Sequence, residues 1–453
     1  MTLRTPFSVV ILAAGKGTRM HSAMHKVLHP IAGHPMLLHL LDTVDALGAS
    51  KRVVVVGDGR DQVEAALAGR EVAVAVQEPQ RGTAHAVQQA HAALADFTGN
   101  ILILYGDTPF VEATTLEAML ERLDGDDGPA VAVLASSPAD PAHYGRIIRV
   151  DGDVIGKMVE YKDATEDERA VRLCNSGMMA VRSADLWRWL DAVGNDNASG
   201  EFYLPDVVMV AAREGRTSRV IETEAWQTHG INSRAELAVA EREWQRRRRI
   251  SAMLEGASLT DPESVWFAFD TIIARDVTVE PHVVFGPGVV IAEGARIRGF
   301  SHIEGACIGA GAEVGPFARL RPGTMLGANS KIGNFVEVKK STFAPGAKAN
   351  HLSYIGDATV GAKANIGAGT ITCNYDGFAK HRTEIGAGAF IGSNSALVAP
   401  VTIGDGAIVG AGSVVTKNVA ADELAVARAP QRGMKGWAAR FRAGQKAKKS
   451  EKD

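Results

Sequence analysis

Cysteine is scarce. Cys174, Cys307 and Cys373 are the three in 453 residues, widely spaced and with no CxxC pair. That excludes a disulfide framework and a cysteine-based zinc site, and it fits a reducing compartment. No apolar stretch reaches the ~18 residues that a membrane helix needs, so no membrane insertion is expected. The run from Phe7 to Ala14 follows Arg4 and mimics a secretion signal, but Gly15-Lys16-Gly17 comes next with no clear small-residue cleavage site. It reads as the buried first strand of a cytoplasmic protein. Charge of one sign is also missing: 49 Lys+Arg against 52 Asp+Glu leave a net charge of −3. The whole chain therefore offers no attraction for nucleic acid. Aromatic residues are few, but 46% hydrophobic and 22% charged residues exclude general disorder.

Glycine is in excess, 48 residues against the roughly 7% of an average protein. Length alone suggests about three domains, and the hydrophobic period changes along the chain. Residues 5–230 alternate apolar runs (8–13, 52–56, 72–76, 101–105, 130–135) with helical stretches (36–47, 61–68, 83–94, 113–123). This alternation predicts βαβ units around a mostly parallel sheet. Residues 233–255 give the longest helix candidate. Its Arg246–Arg249 run reads as a solvated linker face rather than a nucleic-acid patch. The expected division is 1–231, a linker helix 232–256, and 257–453.

In the last part, Ile273, Val279, Phe285, Ile291, Ile297 and Ile303 fall every six residues. After a slip of one, Ile308, Val314, Leu320, Leu326, Ile332 and Val338 repeat the step. An irregular stretch follows, and then Ile385, Ile391, Leu397, Ile403, Val409 and Val415 resume it. So short a period signals a solenoid whose repeats cannot bury their faces alone. The reading is a triangular parallel β-helix, about six residues per side, with glycine suiting the tight corners. The segment 372–384 breaks the ladder and reads as a projecting loop, where function is usually placed. From Arg428 onward nine cations meet two acids, Glu451 and Asp453, and beyond about Gly444 the tail reads as disordered.

The segment Leu12-Ala13-Ala14-Gly15-Lys16-Gly17-Thr18-Arg19-Met20 follows a strand. Its glycines let backbone N–H groups approach phosphate, and Lys16 and Arg19 bring positive charge. It is neither GxxxxGK[ST] nor GxGxxG. With Lys26-Val27-Leu28 and Pro30, it resembles the sugar-nucleotide pyrophosphorylase family. Gln77 and Gly82-Thr83 resemble the segments that read the uracil base, and Tyr105-Gly106-Asp107 the metal-binding turn. Gly145, Glu160, Asn175 and Asn232 match later sugar and metal positions. The chain departs from the usual pattern at His25, Ala84 and Ser176. Such chemistry brings two anions together, so catalysis must come from positioning and neutralisation. Asp107 and Asn232 suit Mg²⁺, and Lys26 and Arg19 suit phosphate charge. Ordinary roles stay open for single residues. Asp107 could be a turn residue, Asn232 a helix N-cap, Gln77 and Glu160 surface residues, and Gly145 a turn glycine.

The six-residue repeat resembles the hexapeptide-repeat family, whose β-helix is left-handed. Both halves in this order resemble the family of bacterial bifunctional uridylyl- and acetyltransferases, over roughly residues 5–437. The resemblance implies an α/β Rossmann-like nucleotidyltransferase domain followed by a left-handed parallel β-helix. It implies acetylation of glucosamine 1-phosphate by acetyl-CoA, then use of UTP and Mg²⁺ to make UDP-N-acetylglucosamine for cell-wall and outer-envelope sugars. It also implies a homotrimer. Arg321 and Lys339 match its sugar-phosphate positions, Tyr354 and Asn365 its sugar positions, and His351 its catalytic base. Ala368, Asn374, Tyr375, Ser393, Ala411 and Arg428 match its acetyl-CoA positions. An amine acetyl transfer needs a base, an oxyanion donor and cations for the phosphate. A neutral histidine can be that base, and Glu337 is a candidate to orient it. Taken singly, His351 could be a surface or capping residue, Lys339 a solvated charge, and Asn365, Ser393 and Ala411 corner residues. A pyrophosphorylase with a purely structural solenoid, or a non-enzymatic scaffold, also remains open.

Overall fold

The computed structural model describes residues 5–124 and 128–450; Arg4, Glu451, Lys452 and Asp453 lie outside them. The chain divides into two compact units, Met1–Gln245 and Arg246–Asp453. The division falls inside the helix Arg234–Leu254.

In the first unit the apolar run becomes the strand Phe7–Ala13, buried at every position. It lies third from one edge of a nine-stranded sheet. Arg52–Val56 and Asn100–Tyr105 pair with it in parallel on either side, and Ala73–Val76 extends the sheet beyond Arg52–Val56. Alternation along a strand sends residues to opposite faces. Val10 and Leu12 accordingly join a core with Val87, Leu186 and Trp189, while Val9 and Ile11 join another with Leu37, Leu40 and Leu116. A sheet covered on both faces explains why its strands read as continuous apolar runs. The sheet is not wholly parallel. Cys174–Arg182 runs antiparallel between Asn100–Tyr105 and Val131–Ser136, and the hairpin Arg146–Asp151/Val154–Val159 forms one edge.

The second unit is built from three parallel sheets of ten, eight and eight strands. Strand pairs such as Ile273↔Ile291 and Ile303↔Leu320 join residues one full coil apart, so each coil adds one rung to each of three faces. This is a triangular parallel β-helix. The stretch read as irregular is part of the same ladder. Phe343, Ala349, Ile355, Val360, Ile366 and Thr372 continue the buried inward positions between Val338 and Ile385. Two steps of five residues and two inward residues that are small or polar hide the period. Thr372 is accommodated because its Oγ1 accepts the Gly356 N–H at 2.7 Å and donates to the Gly356 carbonyl at 3.0 Å.

Two expectations are corrected. Arg249 is buried, 3% exposed, and donates to Glu263 Oε2 at 3.0 Å and to the Val265 carbonyl at 3.4 Å. Arg248 donates to the Thr271 carbonyl at 3.0 Å and lies over the Phe267 ring. These arginines are structural, not a solvated face. The tail past Gly444 is helical, within Trp437–Ser450, where alanines and lysines favour the helix despite its exposure.

Leu320 is fully buried in the ladder, whereas Val290 faces outward. Leu320→Ala is expected to lower stability by about 2–5 kcal/mol. Val290→Ala should stay within about 0.5 kcal/mol. Urea unfolding followed by circular dichroism measures both, and equal shifts would contradict the inward stack.

Candidate active sites

Parallel register brings the carboxyl ends Ala13, Val56, Val76 and Tyr105 to one edge of the first sheet. Open α/β sheets bind ligands at such an edge. Leu12, Ala13, Ala14 and Gly15 leave the sheet here. The Gly106 N–H donates to the Leu12 carbonyl at 2.9 Å, and the Gln80 amide donates to the Ala14 carbonyl. A Cβ on Gly15 would meet nothing, so this part of the loop is open to a ligand. Gly17 has a different reason. Its φ is +58°, and a Cβ there would lie 2.5 Å from Lys26 Cβ, so only glycine lets the lysine stem pass.

The Lys26 ammonium donates to the Asp107 carboxylate and, at 2.6 Å, to Asn232 Oδ1. Residues far apart in sequence thus place two oxygens on one cation. The helix-cap alternative for Asn232 is decided by its neighbours. Ser233 Oγ accepts the Glu236 N–H at 3.2 Å, while Glu236 Oε2 accepts the Asn232 and Ser233 N–H groups. This capping box starts the helix Arg234–Leu254 with Ser233 as the cap and leaves the Asn232 side chain free for Lys26. One carboxylate oxygen plus one amide oxygen suits Mg²⁺, which completes its shell with phosphates and water. The ammonium already shows that the pair can hold positive charge. Among the described residues no cluster of three His, Cys, Asp or Glu forms an all-protein metal cage.

Beside this cation lies a cleft of about 770 Å³ lined by Arg19, Tyr105, Asp107, Asn175 and Asn232. Tyr144 also lines it, a residue sequence reasoning missed. The sugar-side positions cluster at its border. The Asn175 N–H donates to the Gly145 carbonyl at 2.9 Å, and a Cβ on Gly145 would come within 3.2 Å of Glu160 Oε1. Burial, with Asp206 and Asp163 nearby, pushes the Glu160 carboxyl up. Burial, reinforced by Glu160, also pushes the Tyr105 phenol up. Gln77 is not a surface residue but is 5% exposed. Gly82 and Thr83 open the helix Thr83–Gln88 next to it.

In the second unit, coil register aligns Asn334 with His351. Asn334 Oδ1 lies 2.6 Å from His351 Nδ1, and the imidazole is exposed. The candidate orienting role of Glu337 fails, because that carboxylate accepts instead from Arg321 Nη1 at 2.8 Å. In this unit sequence reasoning missed Asn334; it lies two residues past the ladder position Ile332, which gave no signal of a partner one coil away. Arg321, Lys339 and Tyr354 belong to the neighbouring face. Lys380, from the projecting loop, is a second missed residue. Its ammonium holds Lys339 below the usual lysine range, with Arg321 adding to the effect. Three cations grouped in this way favour an anion beside them. Asn365 pairs with Lys348 on the His351 face. Ala368, Ser393 and Ala411 stack on one corner: their carbonyls accept from the Asn394 N–H, the Gly412 N–H and Arg428 Nη1.

The loop itself is a built flap. Tyr375 bridges to Lys380, and Asn374 Nδ2 donates to Asp357 Oδ2 at 2.5 Å. Asp376 accepts the Phe378 and Ala379 N–H groups at 2.8 and 2.7 Å and pairs with His381. These bonds, the Ala379 N–H first and then His381, hold its carboxyl well below the usual range. A depressed carboxylate contributes order above its ordinary value, about 3.9, and loses it only as pH falls through the folded value. Hydrogen exchange at Phe378 and Ala379 should therefore stay slow from pH 7 to below 3.9. Asp376→Ala should speed it throughout that range.

A family model described as a MobA-like NTP transferase domain matches residues 9–176, and one for bacterial transferase hexapeptides (six repeats) matches residues 382–417. The solenoid is thus a left-handed parallel β-helix of hexapeptide repeats. Proteins named bifunctional protein GlmU match along their whole length. The one from Sphingopyxis alaskensis is 64% identical over 448 residues, covering 99% of both chains. Those from Rhizorhabdus wittichii and Zymomonas mobilis are 66% identical over 445 residues and 58% over 450, covering 98% of both chains and 99% and 100% of the two. A nucleotidyltransferase edge joined to a hexapeptide solenoid, matched end to end by these relatives, makes this chain a member of the bifunctional GlmU family.

Proposed function

We propose that the chain catalyses two consecutive transfers. Acetyl moves from acetyl-CoA to the amine of glucosamine 1-phosphate in the second unit. UMP then moves from UTP to N-acetylglucosamine 1-phosphate in the first. The observation that carries the reading is that each unit has its own charge arrangement: Lys26 between Asp107 and Asn232 in one, and in the other an oriented imidazole with three cations grouped on the adjoining face and the flap.

In the acetyl step the amine attacks the thioester carbonyl, the C–S bond breaks, and CoA leaves as its thiol. His351 Nε2 takes the amine proton while Asn334 Oδ1 accepts the Nδ1–H, holding the base in the tautomer with a free Nε2. Arg321, Lys339 and Lys380 bind the sugar phosphate, and Tyr354 and Asn365 hold the sugar. Asn374, Tyr375, Ala368, Ala411 and Arg428 take acetyl-CoA, and Ser393 donates to the thioester oxyanion.

In the uridylyl step a phosphate oxygen of the sugar attacks the α-phosphorus of UTP, and the bond to the β-phosphate breaks to release pyrophosphate. No enzyme nucleophile is required. The backbone of Leu12–Gly15 cradles phosphate, Lys26 and Arg19 neutralise it, and Gln77 with Gly82-Thr83 reads the base. Tyr105, Gly106, Gly145, Glu160 and Asn175 form the sugar side. Asp107 and Asn232 would hold Mg²⁺, which when bound supplies further charge neutralisation on the phosphates.

UTP and acetyl-CoA as co-substrates place the enzyme in the cytoplasm. An exposed corner of the solenoid favours a homotrimer: the rings of Phe300, Phe317 and Phe335 stack at 4.9 and 5.2 Å while facing solvent. Light scattering should give three times the chain mass.

His351→Ala should lower acetyl transfer by at least about 10²-fold and leave uridylyl transfer intact, and Asp107→Ala should do the reverse. Thiol release from acetyl-CoA and pyrophosphate release from UTP measure the two. A variant that is folded yet loses both activities would refute the assignment. Chelating Mg²⁺ is expected to stop pyrophosphate release and spare thiol release. Asn334→Asp should raise the acidic limb of the acetyl-transfer pH profile, since a carboxylate beside His351 favours the imidazolium.

A further inference from the structure

Gln77 is buried beside the edge where the nucleotide is placed, and its side-chain amide is fully constrained on one side. Nε2 lies 2.9 Å from the Gly82 carbonyl and 3.1 Å from His85 Nδ1. A carbonyl oxygen only accepts, so the amide must turn its NH₂ toward Gly82. Its second N–H then points at His85 Nδ1, which must be the unprotonated ring nitrogen. Burial, aided by Arg81, holds the His85 imidazole below its ordinary value and so keeps that nitrogen an acceptor. Only glycine fits at position 82: its φ is +112°, and a Cβ there would lie 2.5 Å from the Phe202 carbonyl oxygen. The Ala84 N–H donates to that same carbonyl at 2.9 Å, and Leu204 N–H to Thr83 Oγ1 at 2.9 Å. Both donors of Gln77 are thus consumed, and Oε1 accepts no hydrogen bond among the described residues.

We infer that His85 is a positioning residue for base selection. By taking the second Gln77 N–H, it fixes Oε1 as a pure acceptor toward the nucleobase. The site then favours a pyrimidine presenting an imide N–H, as uracil does, and disfavours one presenting a ring lone pair at that place, as cytosine does. This rests on the uridylyl-transfer reading. A buried acceptor facing a lone pair leaves both unsatisfied, so the orientation of one amide carries real discrimination.

The test compares pyrophosphate release from UTP and from CTP, with N-acetylglucosamine 1-phosphate, in the full-length chain. His85→Ala is expected to lower the UTP-to-CTP ratio of kcat/KM about tenfold, the scale of one hydrogen bond. The change should appear in the KM for UTP, with kcat at saturation within about threefold. His85→Asn keeps an acceptor at the position of Nδ1 and should hold the ratio. His85→Gln carries its oxygen one bond further out and should behave like His85→Ala. Acetyl transfer by the same preparations reports that the chains are folded. Should His85→Ala not fold, the Asn and Gln variants make the same comparison. Equal losses with both nucleotides, or Asn and Gln variants with the same ratio, would overturn the proposal. A wild-type chain that releases no pyrophosphate from UTP would instead remove the uridylyl reading beneath it.

Discussion

Parallel strand register is the constraint on which both units depend. A parallel strand pairs with a neighbour many residues away, so it places side chains together that no local pattern connects. In the first unit it aligns Ala13, Val56, Val76 and Tyr105 at one edge, and the turns leaving that edge bring Lys26 to Asp107. In the second unit it sets Asn334 against His351 and Lys339 against Gly356. The hydrophobic effect holds the register, because a slip of one residue would turn each inward side chain out to solvent. The groups that carry the chemistry need only be attached at the right rung.

The contrast between the two units follows from how each buries its apolar surface. The sheet of the first unit has a core on both faces, and strands such as Phe7–Ala13 and Asn100–Tyr105 are bonded on both sides by neighbours distant in sequence. The solenoid buries two residues per side per coil, as with Val277 and Val279 or Ala295 and Ile297, so its core is a narrow column. A polar residue in that column can be satisfied by the adjacent coil, as Gly356 does for Thr372.

Much of this was legible in the residues. The six-residue step from Ile273 to Val338 gave the solenoid, and the apolar runs gave the first four parallel strands. The motif order from Leu12 to Asn232 named most of the residues that the fold gathers at the first candidate site. What escaped was whatever depends on a partner outside the pattern. Ala349 and Thr372 hide the ladder because its inward positions tolerate a small or bonded residue. Cys174–Arg182 hides as an antiparallel strand because a register shift between Asn175 and Met179 breaks its alternation. Asn334 and Lys380 carry no motif; only stacking and the folded-back flap reveal them. Glu337 was misassigned because its carboxylate is closer in sequence to His351 than in pairing, where Arg321 takes it.

The flap shows how such a fold can lengthen without loss. Ile371 pairs with Ala396, a coil longer than its neighbours, yet the rungs above and below keep their partners. A prism with separable edges tolerates insertion at a vertex, where extra chain swings outward and never enters the column. New contacts can therefore be acquired at the vertices while the stack beneath is left unedited, and the length of a coil becomes a record of where the molecule has added recognition.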